Sequence, residues 1–380
     1  MIRTERAHML TAALSHEGMS GKNNEDRYAV TSFVLGEEDP TPVLFAVVAD
    51  GIGGHRAGEV AAELAVNYIT TAVAESDGKH PRKILKDAIQ ATSTIIANYS
   101  DSEEAKQGMG STCACVWITG DRLYTAYVGD SRIYLLREGR IQQLTVDHTW
   151  VQEAIERKII TPEQARGHPN VHVIRRYLGS PEPPEVDFRL RLYDSEGDAL
   201  SENNQGTQLH PDDVLLLCSD GLTDLVWNDE IAEIIRSKDT LKAGVQELVD
   251  TANNRGGYDN TTVVLISVPK DLPELPHRKI PLPWIIGGIV FLLLSLVFVS
   301  FLAINLLRAV NAATPTPTLT SIPATSTPLA RATRTARMTR TPQDTPTVVQ
   351  TTATYRPVTI EPSYTPWPTN TTAPTVTPTP

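Results

Sequence analysis

The sequence predicts an α+β fold in which antiparallel β-sheets are flanked by helices. Two observations lead to this prediction. Apolar runs typical of strands outnumber the helical stretches. Many neighbouring strand candidates are also joined by short turns, as at Gly120-Asp121. This combination favours antiparallel pairing over a parallel, doubly wound sheet.

The strands and helices predicted for the N-terminal domain fall within the first 270 residues. Apolar runs predict strands at 28–34, 43–49, 112–119, 122–128, 132–137, 213–218 and 261–268. Helices are predicted at 58–75, 81–99, 149–158, 161–166, 228–237 and 240–253. Thr161, followed by Pro162 and then Gln164, has the pattern of a capping box at a helix start.

The strand at 43–49 ends in an unexpected carboxylate. Its run VLFAVVA is apolar at every position, which is typical of a strand buried on both faces, and Asp50 follows directly. A carboxylate resists burial unless its charge is compensated. The glycine-rich turn behind it is not a nucleotide loop, since no P-loop is present and Arg56 stands where a dinucleotide fingerprint needs glycine.

Carboxylates also stand at the ends of four further strand candidates: Asp220, Asp130, Asp259, and the pair Glu25 and Asp26. A single Asp-Gly after a strand is commonly a hairpin turn. Five such positions together indicate an acidic cluster, provided that the strands lie side by side. Clusters with oxygen ligands alone suit Mg²⁺ or Mn²⁺ and not zinc.

The motifs around these residues resemble those of the bacterial PP2C-type (PPM family) protein serine/threonine phosphatases. In chain order they are SHEGMSGKNNEDRY, VVADGIGGHRAGEVA, GMGST, YVGDSRIYLL, LLLCSDGLTD and GGYDNTTVV. The resemblance covers about residues 10–268. It implies a four-layer αββα sandwich of two antiparallel β-sheets flanked by helices. It also implies a centre of two Mn²⁺ or Mg²⁺ ions, with a weaker third ion beside it.

The resemblance also implies a role for each residue of the cluster. Asp50 would bridge the two ions with Gly51 lending its carbonyl oxygen, and Asp220 and Asp259 would complete the shell of one ion. Glu25 and Asp26 would hold metal-bound water, and Asp130 would help bind the third ion. Asp50, Asp220 and Asp259 would thus act in catalysis through a metal-bound hydroxide that attacks the phosphorus. The segment 147–180 resembles the flap that covers the site.

Two positions depart from the family pattern. His16 stands where Asp is usual, and Gly21 stands where an arginine usually contacts the substrate phosphate. Lys22 is adjacent and could reach the phosphate as a point charge, without the bidentate geometry of arginine. We therefore expect weaker substrate binding and intact chemistry.

The remaining histidines and the cysteines are given structural roles. His55 is interpreted as a surface-turn residue. His168 and His172 are interpreted as flap residues, because Pro169 prevents one continuous helix face. The three cysteines Cys113, Cys115 and Cys218 lie in strand-like apolar runs, which indicates reduced, buried thiols and a cytosolic compartment.

The C-terminal part of the chain predicts a membrane anchor. A proline-rich linker at 271–283 precedes residues 284–307, which contain no charged residue and exceed the ~20 residues needed to cross a bilayer. The basic residues before this helix exceed those just after it, which places the phosphatase domain, residues 1–270, in the cytoplasm. The Thr/Pro-rich tail at 308–380 is predicted to be disordered and extracytoplasmic, so the protein would cross the cell membrane once.

Within the tail, Arg331, Arg334, Arg337 and Arg340 recur at every third residue. Polyproline II has three residues per turn, so all four would line one edge. One hypothesis is a contact with anionic envelope polymer or lipid headgroups, and the alternative is a soluble spacer. The net charge is −11 and its acidic excess lies in the N-terminal part, which argues against non-specific nucleic-acid binding there.

These patterns predict a membrane-tethered, metal-dependent phosphatase that hydrolyses phosphoserine and phosphothreonine in proteins. Its expected partners are phosphorylated proteins, among them a bacterial Ser/Thr kinase and the substrates of that kinase. One alternative is a membrane-anchored pseudophosphatase that binds phosphoproteins as a sensor, which the missing arginine at Gly21 favours. Another is a cell-surface anchor whose folded domain is incidental.

Overall fold

The structure is a computed structural model. It describes residues 1–53, 57–102, 106–165, 167–271 and 282–312, and within the last range it describes the side chains of 293–308. The chain divides into two compact units, Met1–Phe291 and Leu292–Pro380. The first of these contains the strands and the candidate functional site.

The first sheet has six strands among the described residues, and every neighbouring pair is antiparallel. Its order is β1 (Ile2–Arg3), β3 (Arg27–Val34), β4 (Pro42–Ala49), β7 (Cys113–Thr119), β8 (Arg122–Val128) and β11 (Thr207–Gln208). The predicted turn at Gly120-Asp121 joins β7 to β8 as a hairpin. The antiparallel pairing predicted for these strands is therefore confirmed.

The second sheet has five described strands and is also antiparallel. Its order is β10 (Arg140–Gln143), β9 (Arg132–Arg137), β12 (Val214–Cys218), β13 (Thr261–Ser267) and β2 (Leu10–His16). A short ribbon pairs β5 (Gly51–Ile52) with β6 (Gly110–Ser111). This ribbon lies directly after the carboxylate that ends β4.

Eight helices accompany the sheets in the described part of the first unit, and two pairs of them cover the outer faces of the sheets. Their bounds are α1 (Ala57–Glu75), α2 (Pro81–Ser102), α3 (Trp150–Glu156), α4 (Pro162–Ala165), α5 (Asp198–Asn203), α6 (Asp220–Thr223), α7 (Asn228–Ser237) and α8 (Leu241–Asn254). Apolar residues of α1 and α2 share one core cluster with the first sheet, and those of α7 and α8 share another with the second sheet. A third cluster lies between the sheets. The αββα sandwich is therefore confirmed.

The side-chain alternation along β4 explains its continuous apolar run. Val43, Phe45 and Val47 pack against α1 and α2. Leu44 and Val48 point the other way and pack against the second sheet. Since successive side chains of a strand point to opposite faces, a strand buried on both faces has no position left for a polar residue.

The structure differs from the predictions at β2, β10 and α5, which the sequence analysis missed. The strand β2 has the sequence LTAALSH and lies at the edge of the second sheet, where it is half exposed. Its small and hydroxyl residues carry little of the β-branched and aromatic signal on which strand prediction depends. The capping box at Thr161 is confirmed, since Gln164 N–H donates to Thr161 Oγ1 at 3.3 Å and Thr161 N–H donates to Gln164 Oε1 at 2.9 Å.

The helix α9 covers Leu282–Ala312. Among the described residues, no helix meets both the length and the apolar composition that a membrane crossing needs. The span at 284–307 stays a prediction. The predicted linker at 271–283, the tail at 308–380 with its four arginines, and His55 fall wholly or mostly outside the described residues.

Candidate metal centre

The predicted carboxylates converge where strands of both sheets end. In the first sheet Arg27 pairs with Ala49, so Asp26 and Asp50 stand side by side at the ends of β3 and β4. In the second sheet Cys218 pairs with Val263, which brings the end of β12 beside the start of β13. Asp220 and Asp259 extend from these two strand ends, and Asp130 follows β8. We call this set, together with Glu25, the acidic cluster.

The electrostatics of the acidic cluster show that its members lie close together. Burial raises the pKa of Asp50 well above its ordinary value, and the charges of Asp26, Asp220, Asp130 and Asp259 raise it further. Burial likewise raises the pKa of Asp220, with the charge of Asp130 next in importance. The predicted set is therefore brought together.

Three further members of the acidic cluster, Asp26, Asp130 and Glu25, also hold protons more tightly than free carboxyls. Burial raises the pKa of Asp26 to about 6. Burial and then the charge of Asp147 raise the pKa of Asp130 to about 7. Burial and then the charge of Asp259 raise the pKa of Glu25 to about 7. Ionising all of these groups at once requires a compensating cation.

Two buried carboxylate oxygens have no hydrogen-bond partner among the described residues. They are the Oδ1 atoms of Asp26 and Asp130, whose residues are 2% and 6% exposed. The other oxygen of Asp26 accepts a hydrogen bond from Ser219 Oγ at 2.6 Å. An unsatisfied buried acceptor is costly, and hard divalent cations are the ions that bind such oxygens. The donor set of the cluster therefore fits Mg²⁺ or Mn²⁺.

The backbone of Asp50 is fixed by the GMGST motif. Asp50 N–H donates to Thr112 Oγ1 at 2.9 Å, and Thr112 N–H donates to the Asp50 carbonyl at 2.8 Å. The Ser111 hydroxyl donates to the same carbonyl at 3.0 Å. Thr112 Oγ1 also lies 2.7 Å from Ser131 Oγ. These bonds fasten the end of β4 to β6 and hold the Asp50 carboxylate in place.

The start of α1 approaches the acidic cluster so closely that glycine is required. A Cβ atom on Gly51 would lie 2.2 Å from the Gly58 carbonyl oxygen, and one on Gly58 would lie 2.7 Å from Glu25 Oε2. These contacts place the Glu25 carboxylate against the first turn of α1. The N-terminus of a helix favours negative charge, which opposes the burial and the like charges that raise the pKa of Glu25.

Asn260 is a residue whose role the sequence analysis missed. Glu25 N–H donates to Asn260 Oδ1 at 2.7 Å. Asn260 Nδ2 donates in turn to the carbonyls of Glu17 and Asn23 at 3.0 and 3.1 Å. One side chain thus ties the first motif to the start of β13. The only sequence signal was its position next to Asp259.

The departures at His16 and Gly21 have different consequences. Gly18 N–H donates to His16 Nδ1 at 2.9 Å, so the imidazole supplies an acceptor at the position where the family has a carboxylate. Gly21 has a φ of +70°, a left-handed conformation, and a Cβ atom there would meet nothing within 4 Å. Space for a side chain exists at this position, but the backbone favours glycine.

A groove of about 960 Å³ opens beside the acidic cluster. Its lining includes Lys22, Asp259 and Tyr258 on one side, and residues of the predicted flap on the other. Lys22 lowers the pKa of Glu25, which places its ammonium group near the cluster. The phosphate contact of Lys22 stays a prediction.

The flap, residues 147–180, is attached to the sandwich at both ends. At one end Asp147 pairs with Arg132 at 2.6 Å, and His148 N–H donates to the Gly129 carbonyl at 3.0 Å. At the other end Leu178 N–H donates to the Ser111 carbonyl at 2.8 Å. The flap therefore connects to the residue before Asp130 and to the motif that holds Asp50.

The flap histidines His168 and His172 have different surroundings. His168 stacks on Trp150 with the ring centroids 4.7 Å apart. His172 Nδ1 lies 3.6 Å from Asp224 Oδ2 and 3.9 Å from Asp220 Oδ2. The sequence analysis assigned His172 to the flap and gave Asp224 no role. The signal for Asp224 was its position four residues after Asp220, a spacing that places both on one face of a helical turn.

The three cysteines are buried and unpaired. Burial raises the pKa of Cys218 to about 12 and that of Cys115 well above its ordinary value. A thiol that stays protonated is a poor nucleophile. The prediction of reduced, buried cysteines is therefore confirmed, and these residues take no part in the acidic cluster.

A profile of the family described as Protein phosphatase 2C matches residues 15–261. A serine/threonine phosphatase stp from Listeria monocytogenes is 36% identical over 256 residues, which cover 66% of this chain and 92% of that protein. The serine/threonine phosphatase of S. agalactiae has a similar structure, with a TM-score of 0.59, 33% identity, and coverage of 68% of this chain and 99% of that one.

A further similar structure is the catalytic domain of the serine/threonine protein phosphatase PstP in complex with two manganese ions. Its TM-score is 0.55 and its identity 31%, and the match covers 68% of this chain and 97% of that one. The residues that the family profile matches, 15–261, include every member of the acidic cluster.

Proposed function

Because this chain belongs to the protein phosphatase 2C family and is a PP2C-type serine/threonine phosphatase, we propose that it hydrolyses phosphoserine and phosphothreonine in proteins with two divalent ions in the acidic cluster. The observation that carries the proposal is the pair of buried, unpartnered oxygens on Asp26 and Asp130. The all-oxygen donor set suits Mn²⁺ or Mg²⁺.

Different residues of the acidic cluster would hold the two ions. Asp50 is suited to bridge both, with the Gly51 carbonyl beside it, and Asp220 and Asp259 are suited to one ion. Two divalent ions lower the pKa of bound water and neutralise phosphoryl oxygens, and this is the chemistry that they supply when bound. Glu25 and Asp26 would orient the water that attacks phosphorus.

Asp130 is proposed to hold a weaker third ion. Its carboxylate is buried, its Oδ1 atom has no partner among the described residues, and the charge of Asp130 raises the pKa of Asp220. The substrate phosphate would enter from the groove, where Lys22 can approach it as a point charge. Because lysine lacks the planar fork of arginine, we expect a higher KM than an arginine would give, with kcat little affected.

A phosphoprotein-binding sensor without turnover is the second candidate, and Gly21 is the feature that favours it. A full set of predicted carboxylates in one cluster favours the phosphatase, because phosphate binding alone does not need so many like charges. The phosphatase is therefore the function that we propose.

We also propose that residues 284–307 tether the enzyme to the cell membrane in a single pass, with the catalytic domain in the cytoplasm. The support is the absence of charge from Trp284 to Leu307, the helix assigned to Leu282–Ala312, and the basic residues Arg278 and Lys279 on the N-terminal side. In that place the enzyme would oppose a bacterial Ser/Thr kinase at the membrane. The four tail arginines would contact the envelope on the far side.

Two fractionation measurements test the membrane proposal. The tether predicts that the full chain stays in membrane pellets after alkaline washing. The orientation predicts that protease added outside intact cells removes the tail and spares the domain. Release of the protein by alkali, or protection of the tail, would contradict the tether or the orientation respectively.

The enzymatic proposal is tested with the purified full-length chain and a phosphothreonine peptide. We expect phosphate release with Mn²⁺ or Mg²⁺, none with a chelator, and almost complete loss in Asp220→Asn. Asp250→Asn, an exposed carboxylate of α8, is the matched control and should keep full activity. Peptide binding without release under either ion would instead support the sensor.

A further inference from the structure

His172 brings an imidazole from the flap to the acidic cluster. It lies in a turn that is fixed by backbone hydrogen bonds, from Val171 N–H to the His168 carbonyl at 3.0 Å and from Val173 N–H to the Asn170 carbonyl at 3.1 Å. Its side chain is 64% exposed and lines the groove. Solvent therefore reaches the space between this ring and the carboxylates.

The separations around His172 suit atoms that share one metal ion. Two ligand atoms, each about 2.1 Å from an ion, lie about 3.0 Å apart at a right angle and about 4.2 Å apart on opposite sides. Nδ1 of His172 lies 3.6 Å from Asp224 Oδ2 and 3.9 Å from Asp220 Oδ2. These distances are too long for hydrogen bonds. One ligand atom from each of the three residues lies within 4.8 Å of the others.

Asp130 provides an independent sign of a ligand at this place. Its residue is 6% exposed and its Oδ1 atom has no hydrogen-bond partner among the described residues. Asp130 and Asp224 are also the first two charges that raise the pKa of Asp220. A buried, unpartnered oxygen therefore lies near two of the three residues, Asp220 and Asp224.

We propose that His172 and Asp224 bind the third divalent ion together with Asp220 and Asp130, and that this ion fastens the flap to the metal centre. This inference rests on the proposed function, because Asp220 also belongs to the two-ion centre. It adds to that function a nitrogen ligand and a link between the ion and the flap.

The nitrogen ligand sets the ion that this third site prefers. Mg²⁺ binds oxygen ligands and gives up its waters reluctantly, whereas imidazole is a common ligand of transition ions. The sites formed by carboxylates alone accept Mg²⁺ or Mn²⁺. The third site should therefore select Mn²⁺ from a mixture in which Mg²⁺ is in large excess.

Binding of the ion should restrain the flap through the backbone near His172. Trp150 N–H donates to the Val173 carbonyl at 2.9 Å, and Thr149 and Ile174 form a β-bridge. The turn that carries His172 is thus joined to the start of α3. An ion on His172 would hold both segments over the groove.

The experiment loads the purified full-length chain with excess Mg²⁺ and then adds less than one equivalent of Mn²⁺. Pulsed EPR detects ¹⁴N coupling to the Mn²⁺, and hydrogen exchange reports on the flap. We expect ¹⁴N coupling and slower exchange at Val171 and Val173 in the native chain. His172→Ala should remove both effects and weaken Mn²⁺ binding at this site by about tenfold or more.

The matched control is His168→Asn, which changes a second histidine of the flap. In the native chain Asn170 N–H donates to His168 Nδ1, and asparagine keeps an acceptor for this bond. It should retain the ¹⁴N coupling. Mn²⁺ binding and turnover without ¹⁴N coupling in the native chain, or coupling that persists in His172→Ala, would overturn the inference and leave the proposed function standing. Failure to bind any divalent ion would overturn both.

Discussion

Gly21 stands where the family resemblance leads us to expect an arginine, and Lys22 is adjacent to it. We predict that Lys22→Arg lowers KM for a phosphopeptide severalfold, because a guanidinium can form a bidentate pair with phosphate. Gly21→Arg should cost about 1 kcal/mol of stability, because it places a side chain at a φ of +70°. Steady-state kinetics and thermal unfolding of both variants check these expectations.

The two variants control for each other, since both add a guanidinium to the same loop. Only Gly21→Arg should lower the melting temperature. A KM that is unchanged in Lys22→Arg would mean that residue 22 does not contact the phosphate.

His148 is held as a neutral ring at the base of the flap. Gly129 N–H donates to its Nδ1 at 3.0 Å, so the proton sits on Nε2, which lies 3.0 Å from Asp187 Oδ2. A second proton on Nδ1 would face the Gly129 N–H directly. Burial, the largest cause, lowers the pKa of His148 below its ordinary 6.5.

The lowered pKa of His148 gives a definite pH dependence. Below pH 6.5 the unfolded chain takes up a proton at this residue more readily than the folded one, so stability falls as the pH drops. His148→Asn keeps an acceptor and cannot be protonated. With Mn²⁺ present, we predict a shallower loss of stability below pH 6.5 in this variant, measured by chemical denaturation, and equal slopes in both proteins would contradict the assignment.

In the helix α1, a close contact with the acidic cluster outweighs the general preference of helices for alanine over glycine. Replacing a glycine inside a helix by alanine ordinarily stabilises it by up to about 1 kcal/mol. Gly58 should behave in the opposite way, because its Cβ atom would lie 2.7 Å from Glu25 Oε2. We predict that Gly58→Ala lowers stability and weakens Mn²⁺ binding, as measured by thermal unfolding and calorimetric titration.

The control for this prediction lies on α8. A Cβ atom on Gly244 would meet Leu265 Cδ1 at 3.4 Å, an ordinary contact distance. Gly244→Ala should therefore be neutral or stabilising and leave Mn²⁺ binding unchanged. If the two variants behaved alike, close approach to Glu25 would not be the cause.

Strands buried on both faces were among the elements that the sequence predicted well. For β4 and β13 the predicted and observed ends differ by one residue, because an apolar run bounded by Asp-Gly or Asp-Asn leaves few alternatives. The edge strand β2 was missed because its stability comes from pairing with β13, with Thr261 opposite His16. Such pairing is a long-range property that no local pattern records.

At the scale of the whole molecule, the acidic cluster couples folding to pH and to metal. The pKa values of Asp26, Asp130 and Glu25 rise from ordinary values of 3.8 to 4.5 in isolation to about 6 or 7 in the fold. In the metal-free protein the folded state then binds more protons between these limits. Stability should therefore fall as pH rises from about 4 to about 7.

Divalent ions should reverse this loss, because they replace the protons as the compensating charge. We predict a melting temperature that falls with rising pH in chelator and rises towards pH 7 with Mn²⁺ present. Asp220→Asn removes one charge from the cluster and should flatten the fall in chelator. A metal-free protein whose stability does not depend on pH over this range would contradict the proposed cluster.

The carboxylates of the candidate site could be predicted, because they follow strand ends and belong to motifs of the family. Asp50, Asp220, Asp130, Asp259 and Asp26 stand together because strands of both sheets end at one place. The position of His172 was not predictable, since it depends on a turn that two backbone hydrogen bonds define. The hydrogen bond between Asn260 and Glu25 joins residues 235 positions apart, so no local sequence pattern indicates it.

The buried cysteines have a consequence for the sensitivity of this enzyme to oxidants. Cys113 and Cys115 point towards α1 and α2, and Cys218 points towards α7 and α8, each sealed from solvent. Peroxide attacks thiolates. Burial keeps all three sulfur atoms out of reach and raises the pKa of the Cys115 and Cys218 thiols. Phosphatases that depend on a reactive cysteine are inactivated when peroxide oxidises that cysteine. We therefore expect this enzyme to keep its phosphatase activity in the presence of peroxide.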